Sequence, residues 1–170
     1  MMNRTSCIAL CIAASAVSAA PSTNAGITVL ETYAGTWKMQ TVRVDTTFSK
    51  AGKEATTLHN DCWRSGDFYA CNQYVDGESR ALVVFAYNAK DGSYLSYPIA
   101  IGSDIAHAGK LIISGNVWMF PWEATDKGKT THFRVVNTFT SPEAIEFRQE
   151  YSEDGEHWVQ MASGHERKVH

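Results

Sequence analysis

Residues 62–71, CWRSGDFYAC, predict a β-hairpin and set the fold class. Gly66-Asp67 is a two-residue turn signal, in which Gly supplies the positive φ of the first central position. Counting outward from that turn places Cys62 directly opposite Cys71 in a non-hydrogen-bonded pair. The Cα atoms of such a pair approach to about 4.5 Å, which a disulfide tolerates. We predict a Cys62–Cys71 disulfide, the alternative being two reduced, buried thiols.

Similar turn signals recur along the chain after residue 50, and they separate short runs rich in β-branched and aromatic residues. Examples of these runs are residues 81–85 and 132–136. Short strands at this spacing indicate a β-sandwich or a barrel of successive hairpins. The predicted turns are Ala51-Gly52, Gly66-Asp67, Asp76-Gly77, Asp91-Gly92, Gly102-Ser103, Gly109-Lys110, Gly115-Asn116, Lys127-Gly128, Ser141-Pro142 and Asp154-Gly155. Only residues 27–34 follow a helical spacing, which predicts a two-turn helix that plugs the β structure.

The N-terminus has the parts of a secretory signal peptide. Residues 1–19 carry one charge, Arg4, and then an apolar run at 7–17 that is too short to span a bilayer and ends in a small-x-small cleavage pattern. We predict a signal peptide over 1–19, an N-terminal segment over 20–29 and one domain over 30–167, the alternative being a buried N-terminal helix. The protein is then exported to a periplasm or the extracellular space, which suits a disulfide.

The composition of the chain limits the classes of molecule that we expect it to bind. The chain of 170 residues is 44% hydrophobic and 19% charged, which is typical of a globular protein. Its formal net charge is −3, and it has no run of Lys or Arg. Nucleic acid and anionic membrane surfaces both require clustered cations, so neither is expected as a partner. We expect a monomer or a weak dimer.

The last hairpin predicts the content of the interior. With Asp154-Gly155 as a two-residue turn, alternate residues of the two strands share an inner face, and the opposite face carries the charges of Glu146, Arg148 and Glu150. The predicted inner pairs are Tyr151 with Trp158, Gln149 with Gln160, and Phe147 with Ala162. The interior is then aromatic, with the amides of Asn137, Gln149 and Gln160 as its polar groups.

Gly35-Thr36-Trp37 follows the predicted helix and opens the first strand. Gly-x-Trp in this position, followed by a meander of strands, resembles the lipocalin and fatty-acid-binding superfamily. The hairpin at 152–158 and Cys62-Trp63 make the chain similar to exported bacterial proteins with lipocalin-like barrels. The resemblance implies an antiparallel up-and-down β-barrel of eight to ten strands with a short N-terminal helix. It also implies a cavity open at one end, Trp37 at the closed end, and a basic residue over that ring, for which Arg167 is the nearest candidate.

We therefore hypothesise that the barrel binds a small, mostly apolar molecule. The stripe of Trp118, Phe120 and Trp122 points one way, and it either lines a cavity or packs as core. The candidate ligand-binding residues are Trp37, Met39, Trp118, Phe120, Asn137, Gln149, Tyr151, Trp158 and Gln160. Two alternatives stay open: a barrel enzyme of isomerase or cyclase type with one buried acid, for which Asp61 is the first candidate, and a filled barrel whose loops contact another protein.

Cofactor signals are weak. His59-x-Asp61 places two ligand types on one strand face, but this spacing is common by chance, and neither a helical His pair nor Cys-x-x-Cys occurs. The haem-binding nitrobindins share Gly-x-Trp but continue with glycines where Met39 and Thr41 stand here, and His165 is the only histidine late enough to resemble their haem ligand. We expect no metal and no cofactor. Nucleophile-elbow, phosphate-loop and dinucleotide motifs are also missing, which favours a binding protein over an enzyme.

Overall fold

The computed structural model describes residues 23–102 and 109–170. The predicted signal peptide, residues 1–19, lies outside this part of the chain, as does Ser103 of the predicted Gly102-Ser103 turn. Helix α1 covers Thr23–Leu30 and continues into a 3₁₀ turn, Glu31–Tyr33. The strands are β1 Gly35–Arg43, β2 Gly52–Ser65, β3 Phe68–Val75, β4 Glu78–Asn88, β5 Ser93–Ala100, β6 Gly109–Ser114, β7 Val117–Asp126, β8 Lys129–Ser141, β9 Ala144–Ser152 and β10 Val159–Val169.

The ten strands form a closed barrel in which each strand pairs antiparallel with the next, and β1 pairs with β10. This arrangement confirms the predicted up-and-down barrel with a short N-terminal helix. Side chains alternate between the two faces, as in β2, where Thr56, Leu58 and Asn60 are buried while Ala55 and His59 are exposed. Closure pairs both edges of the sheet, so every strand has a hydrogen-bonded neighbour on each side.

The predicted Cys62–Cys71 disulfide is confirmed. Ser65 pairs with Phe68 around the turn, and the two cysteines lie directly opposite, with their Cα atoms 4.0 Å apart. Gly66 has a φ of 59°, the positive value expected at the first central position of the turn. Cys71 is fully buried, so the bond lies on the inner face of the barrel wall.

The predicted register of the last hairpin is wrong. Strand β9 ends at Ser152 and β10 begins at Val159, so a six-residue loop at 153–158 replaces the Asp154-Gly155 turn. The carboxylate of Asp154 accepts hydrogen bonds from the backbone N–H groups of Glu156 and His157, each at 2.8 Å. These bonds, with that of His157 first, hold the pKa of Asp154 well below its usual range and stabilise the longer loop.

The longer loop changes which residues share the inner face. Gln160 pairs with Glu150, a bulge follows at Met161, and Gln149 pairs with Ala162 rather than with Gln160. Gln160 is exposed on the outer face, where its amide donates to the Ser163 hydroxyl at 3.3 Å. The predicted Gly109-Lys110 turn is also wrong, because these residues open β6.

Helix α1 closes one end of the barrel. Its Ile27 and Leu30 are fully buried, and so is Trp37 at the start of β1. The Trp37 indole N–H donates to the carbonyl of Tyr33 at 3.2 Å, which ties the 3₁₀ turn to the first strand. A methyl group at Gly26 would collide with the ring of Tyr87, so this glycine permits the close approach of the helix to β4.

The basic residue over the Trp37 ring is Lys168, not the predicted Arg167. The Lys168 ammonium lies 5.1 Å from the centre of the ring and donates to the Thr32 carbonyl at 3.4 Å. Arg167 is exposed and shares the outer face with Lys38, its partner on β1. The expectation from the resemblance therefore falls one residue too early, and one residue is enough to change the face of a strand.

We predict that Cys62→Ala with Cys71→Ala lowers the free energy of unfolding by about 2.5–3 kcal/mol, because the bond restricts a short loop of the unfolded chain. Chemical denaturation of the oxidised wild type and the double variant measures the loss. Reduction of the wild type by a thiol reagent should produce a similar loss. Equal stability of all three forms would contradict the prediction.

We predict that Trp37→Ala costs about 3–5 kcal/mol, since it removes a fully buried aromatic side chain. Trp63→Ala is the matched control, because Trp63 is 43% exposed on the outer face of β2. The control should cost less than about 1 kcal/mol. Urea unfolding of both variants compares them, and a small loss at Trp37 would show that the closed end does not depend on this ring.

Candidate functional site

The closed half of the barrel interior is filled. Tyr33 enters from the 3₁₀ turn, and its ring centre lies 5.9 Å from that of Phe85 and 6.3 Å from that of Trp118. Trp118 in turn packs against Phe139 at 4.8 Å. Phe85 and Trp118 are almost wholly buried. This half is therefore an aromatic core rather than a binding space.

The other half of the interior keeps accessible space. Several side chains point inward from mid-strand positions and yet remain partly exposed. These are Met39, Val75, Phe120, Val135, Gln149 and Tyr151. The closed wall covers such side chains from outside, so their exposed surface faces the lumen. In the part of the chain that the structure describes, no helix covers the end of the interior opposite α1, and we call this end the open end.

A cavity of about 330 Å³ lies at this open end. Gln149 of β9 and Ala162 of β10 line its inner side, and Phe48 of the β1–β2 loop lines its outer side. Arg43 also borders the cavity, but it pairs with Glu54 on β2. Its charge is thus balanced. Ser49 and Lys50 of the same loop also line the cavity, and Lys50 pairs with Asp45, so polar groups and apolar surface share the cavity wall.

Phe48 belongs to an aromatic cluster at the mouth of the barrel. Its ring centre lies 5.1 Å from that of Phe133 and 4.8 Å from that of Tyr151, both with steep interplanar angles. Trp122 stacks on Phe133 at 5.4 Å. The loop that carries Phe48 is tied down by the Ser49 hydroxyl, which donates to the Val44 carbonyl at 2.7 Å. Phe48 and Trp122 are each 45% exposed, so this cluster forms an apolar rim.

Glu166 is a buried acid inside the barrel that the sequence analysis did not select. It lies on β10 between Met39 of β1 and Ile145 of β9, and only 6% of its surface is exposed. Burial raises the pKa of its carboxyl group to about 7. Within residues 23–102 and 109–170, no hydrogen bond or ion pair engages this carboxyl group. Side chains on β10 alternate between the two faces, so Glu166, four residues after the inward Ala162, also points inward. This alternation is the sequence signal that could have identified Glu166.

Other interior polar groups differ in whether they are satisfied. The Gln73 amide donates at 3.2 Å to both the Tyr33 hydroxyl and the Asn60 side-chain oxygen, and the Asn60 amide donates to the Tyr33 carbonyl at 3.1 Å. Burial, and secondly the charge of Glu166, raises the pKa of the Tyr33 hydroxyl. The Thr56 hydroxyl is buried and, among the described residues, has no partner.

The nine predicted ligand-binding residues do not all lie in one place in the structure. Seven of the nine point into the barrel, with Trp37 and Trp118 in the filled half and Gln149 and Tyr151 near the mouth. The other inward residues are Met39, Phe120 and Asn137. Trp158 and Gln160 lie outside, and Trp158 covers the guanidinium of Arg134 at 3.7 Å.

Predictions about titratable groups also change. Asp61 is exposed on the outer face of β2, so it cannot be the acid of an interior site. Glu150 faces outward as predicted, but it is not solvated: the guanidinium groups of Arg134 and Arg148 bind it at 2.6 and 2.8 Å, and only 12% of its side chain is exposed. His165 is exposed on the outside of β10, away from the lumen. In the described chain no three His, Cys, Asp or Glu side chains cluster as metal ligands would.

Comparisons with known proteins bear on the fold alone. No protein-family model matches this chain, and no curated protein sequence matches it. The crystal structure of Rv2717c from M. tuberculosis is similar at a TM-score of 0.51 with 8% identity, over 85% of this chain and 98% of that one. The structure of EF1p2_mFAP2b bound to DFHBI has a TM-score of 0.36 with 12% identity, over 82% of this chain and 95% of that one. The second similarity is too weak to carry an argument, whereas the first supports the barrel.

One further finding concerns membranes. Over the described residues, no helix combines the length and the apolar character needed to cross a bilayer.

We predict that stability falls by about 2–3 kcal/mol between pH 5 and pH 8 through Glu166. The folded protein raises this pKa from 4.5 to about 7, so it binds a proton more tightly than the unfolded chain does. The stabilising contribution is therefore complete below pH 4.5 and is lost as the pH rises to about 7. Urea unfolding of Glu166→Gln across this range should lack the fall.

Glu146→Gln is the control, because Glu146 is an exposed glutamate on the outer face of β9. It should keep the pH dependence of the wild type. An unchanged pH profile in Glu166→Gln would mean that the carboxyl group at position 166 is solvated.

Proposed function

We propose that this protein is an exported, lipocalin-like barrel that binds a small, mostly apolar molecule in the open half of its interior. The observation that carries the proposal is the unequal filling of the barrel. Trp118 and Phe85 are buried at the closed end, whereas inward residues such as Phe120 and Gln149 keep exposed surface toward the other end. A barrel that served only as a filled scaffold would bury both halves alike.

The chemistry of the lumen suits an apolar ligand. The partly exposed inner surface comes from Met39, Phe120, Val135 and Tyr151, with Gln149 as a polar group among them. Apolar pockets with a few fixed polar groups are typical of small-molecule sites, and the cavity of about 330 Å³ at the mouth lies at the small end of their range. Burial of apolar surface supplies the affinity, and the amide supplies orientation.

Phe48 has a defined part in this proposal. Its ring covers Phe133 and Tyr151 at the mouth, so it occupies the path between solvent and lumen. A ligand that enters from this end displaces or contacts that ring. The exposed aromatic rim then offers apolar surface at the entrance, where a poorly soluble molecule first meets the protein.

The disulfide supports the exported location, because such bonds persist in oxidising compartments. An enzyme of the isomerase or cyclase type is the second candidate. It requires a titratable group inside the barrel, and Glu166, rather than Asp61, is the residue that favours it.

We predict that N-phenyl-1-naphthylamine, a neutral apolar fluorescent probe, binds at one saturable site. Gln149→Trp should weaken this binding at least tenfold, because an indole at position 149 fills the space that the probe needs. Tenfold corresponds to about 1.4 kcal/mol. Fluorescence titration measures the affinity.

Gln160→Trp is the matched control, since Gln160 is the exposed outward glutamine of the neighbouring strand. Its affinity for the probe should equal that of the wild type. Equal binding by both tryptophan variants would place the probe outside the barrel, and a wild type without saturable binding would refute the proposed function.

A further inference from the structure

We propose that Glu166 and Thr56 form the recognition site of the lumen, and that the ligand it takes is an apolar molecule that carries a basic amine. This inference rests on the binding function proposed above and names the chemical class of the ligand. It adds a site on β10 and β2 to the apolar surface already described.

The register places the two residues on either side of one exposed side chain. Met39 of β1 pairs with Glu166 of β10 on one side and with Thr56 of β2 on the other, and all three side chains point inward. Adjacent strands lie about 4.8 Å apart, so the backbones of the flanking residues are about 10 Å apart. Met39 between them is partly exposed to the lumen. A ligand group that lies over Met39 therefore faces both oxygen-bearing side chains.

Both side chains are buried without partners in the described chain. Buried polar groups are normally hydrogen-bonded, and an unsatisfied one destabilises the fold. Here the Thr56 hydroxyl is such a group, and the Glu166 carboxyl group, in a residue that is only 6% exposed, forms no hydrogen bond or ion pair with the described residues. The Tyr33 hydroxyl nearby accepts a hydrogen bond from Gln73, so it adds a further oxygen to this wall. The hydroxyl groups of Thr56 and Tyr33 can both donate and accept, whereas the Glu166 carboxylate only accepts, so a ligand group that donates several hydrogen bonds would complete this wall.

An ammonium group fits this wall better than other head groups. It donates hydrogen bonds to both the carboxylate and the hydroxyl oxygen, and its charge compensates the buried carboxylate. A carboxylate ligand would be repelled by ionised Glu166. An alcohol would form the hydrogen bonds but would leave the charge unbalanced.

The protein's own charged groups near this wall do not fill that role. Lys168 lies two residues further along the inner face of β10, but its ammonium is directed to the Thr32 carbonyl and the Trp37 ring at the closed end. The other titratable group that faces Glu166 is the Tyr33 hydroxyl on the 3₁₀ turn. The paired residues on β1 and β9, Met39 and Ile145, carry no charge. The Glu166 carboxylate is thus left for a cation from outside.

The test is displacement of bound N-phenyl-1-naphthylamine by three compounds of equal chain length: octylammonium, 1-octanol and octanoate. At pH 8 the wild type should release the probe to octylammonium at a concentration at least tenfold below that for 1-octanol. Glu166→Gln should abolish this preference, which is measured for each variant as the ratio of the two displacing concentrations. Glu146→Gln, the same change on the outer face, should keep the preference.

Two further measurements separate recognition from a structural effect. Thr56→Val, which replaces the hydroxyl by a methyl group, should reduce the ratio of the concentrations at which 1-octanol and octylammonium release the probe. The preference should also decline from pH 8 to pH 5, because Glu166 takes up a proton with a pKa of about 7. If Glu166→Gln fails to fold, the Thr56→Val variant and the pH profile of the wild type decide the question.

Each contrary outcome has a distinct meaning. Equal displacement by octylammonium and 1-octanol, or a preference that survives Glu166→Gln, overturns the inference and leaves the carrier function intact. Strongest displacement by octanoate also overturns it and directs attention to Arg43 at the mouth. A wild type that binds no probe refutes the proposed function itself.

Discussion

The closure of β1 against β10 is the constraint on which the rest of the structure depends. Gly164 permits this closure, because a methyl group there would collide with the Gln40 carbonyl and meet the Phe147 ring at 2.8 Å. The seam in turn fixes the register of the last strand against the first. That register sets Lys168 beside Trp37 at the closed end and Glu166 beside Met39 further in. The position of Lys168 at the closed end and the position of Glu166 in the lumen therefore both follow from the pairing of β1 with β10.

The sequence predicted a hairpin correctly where the residues of the turn alone determine its conformation. The hairpin of Cys62 and Cys71 follows from a two-residue turn with glycine in a positive-φ position, and nothing distant alters it. The last hairpin differs because the carboxylate of Asp154 binds backbone N–H groups and holds a six-residue loop. An Asp-Gly pair is compatible with both turns. The choice between them moved Gln160 from the inner face to the outer one.

Periodicity in a strand gives the face of a residue but not its depth in a barrel. Trp118, Phe120 and Trp122 share one face of β7, as the sequence indicates, yet Trp118 is buried, Phe120 is partly exposed and Trp122 is 45% exposed at the rim. Depth depends on which end the helix covers and on how ten strands are staggered, and neither is encoded in a single strand. For the same reason the sequence could not decide whether the aromatic stripe is core or cavity. In the structure Trp118 belongs to the core, and Phe120 packs against that core.

The two halves of the interior differ in their hydrogen bonding as well as in their packing. At the closed end, Asn60, Gln73 and Tyr33 satisfy one another, and the Trp37 indole has a carbonyl acceptor. Further in, the Thr56 hydroxyl is buried without a partner among the described residues, and the nearly buried Glu166 carboxyl group forms no hydrogen bond or ion pair with them, although polar groups in protein interiors are normally paired. Selection for stability alone would replace such a carboxyl group by an apolar side chain, since burial makes its charge costly. Its presence among the mostly apolar side chains of the lumen fits a ligand that completes the pairing.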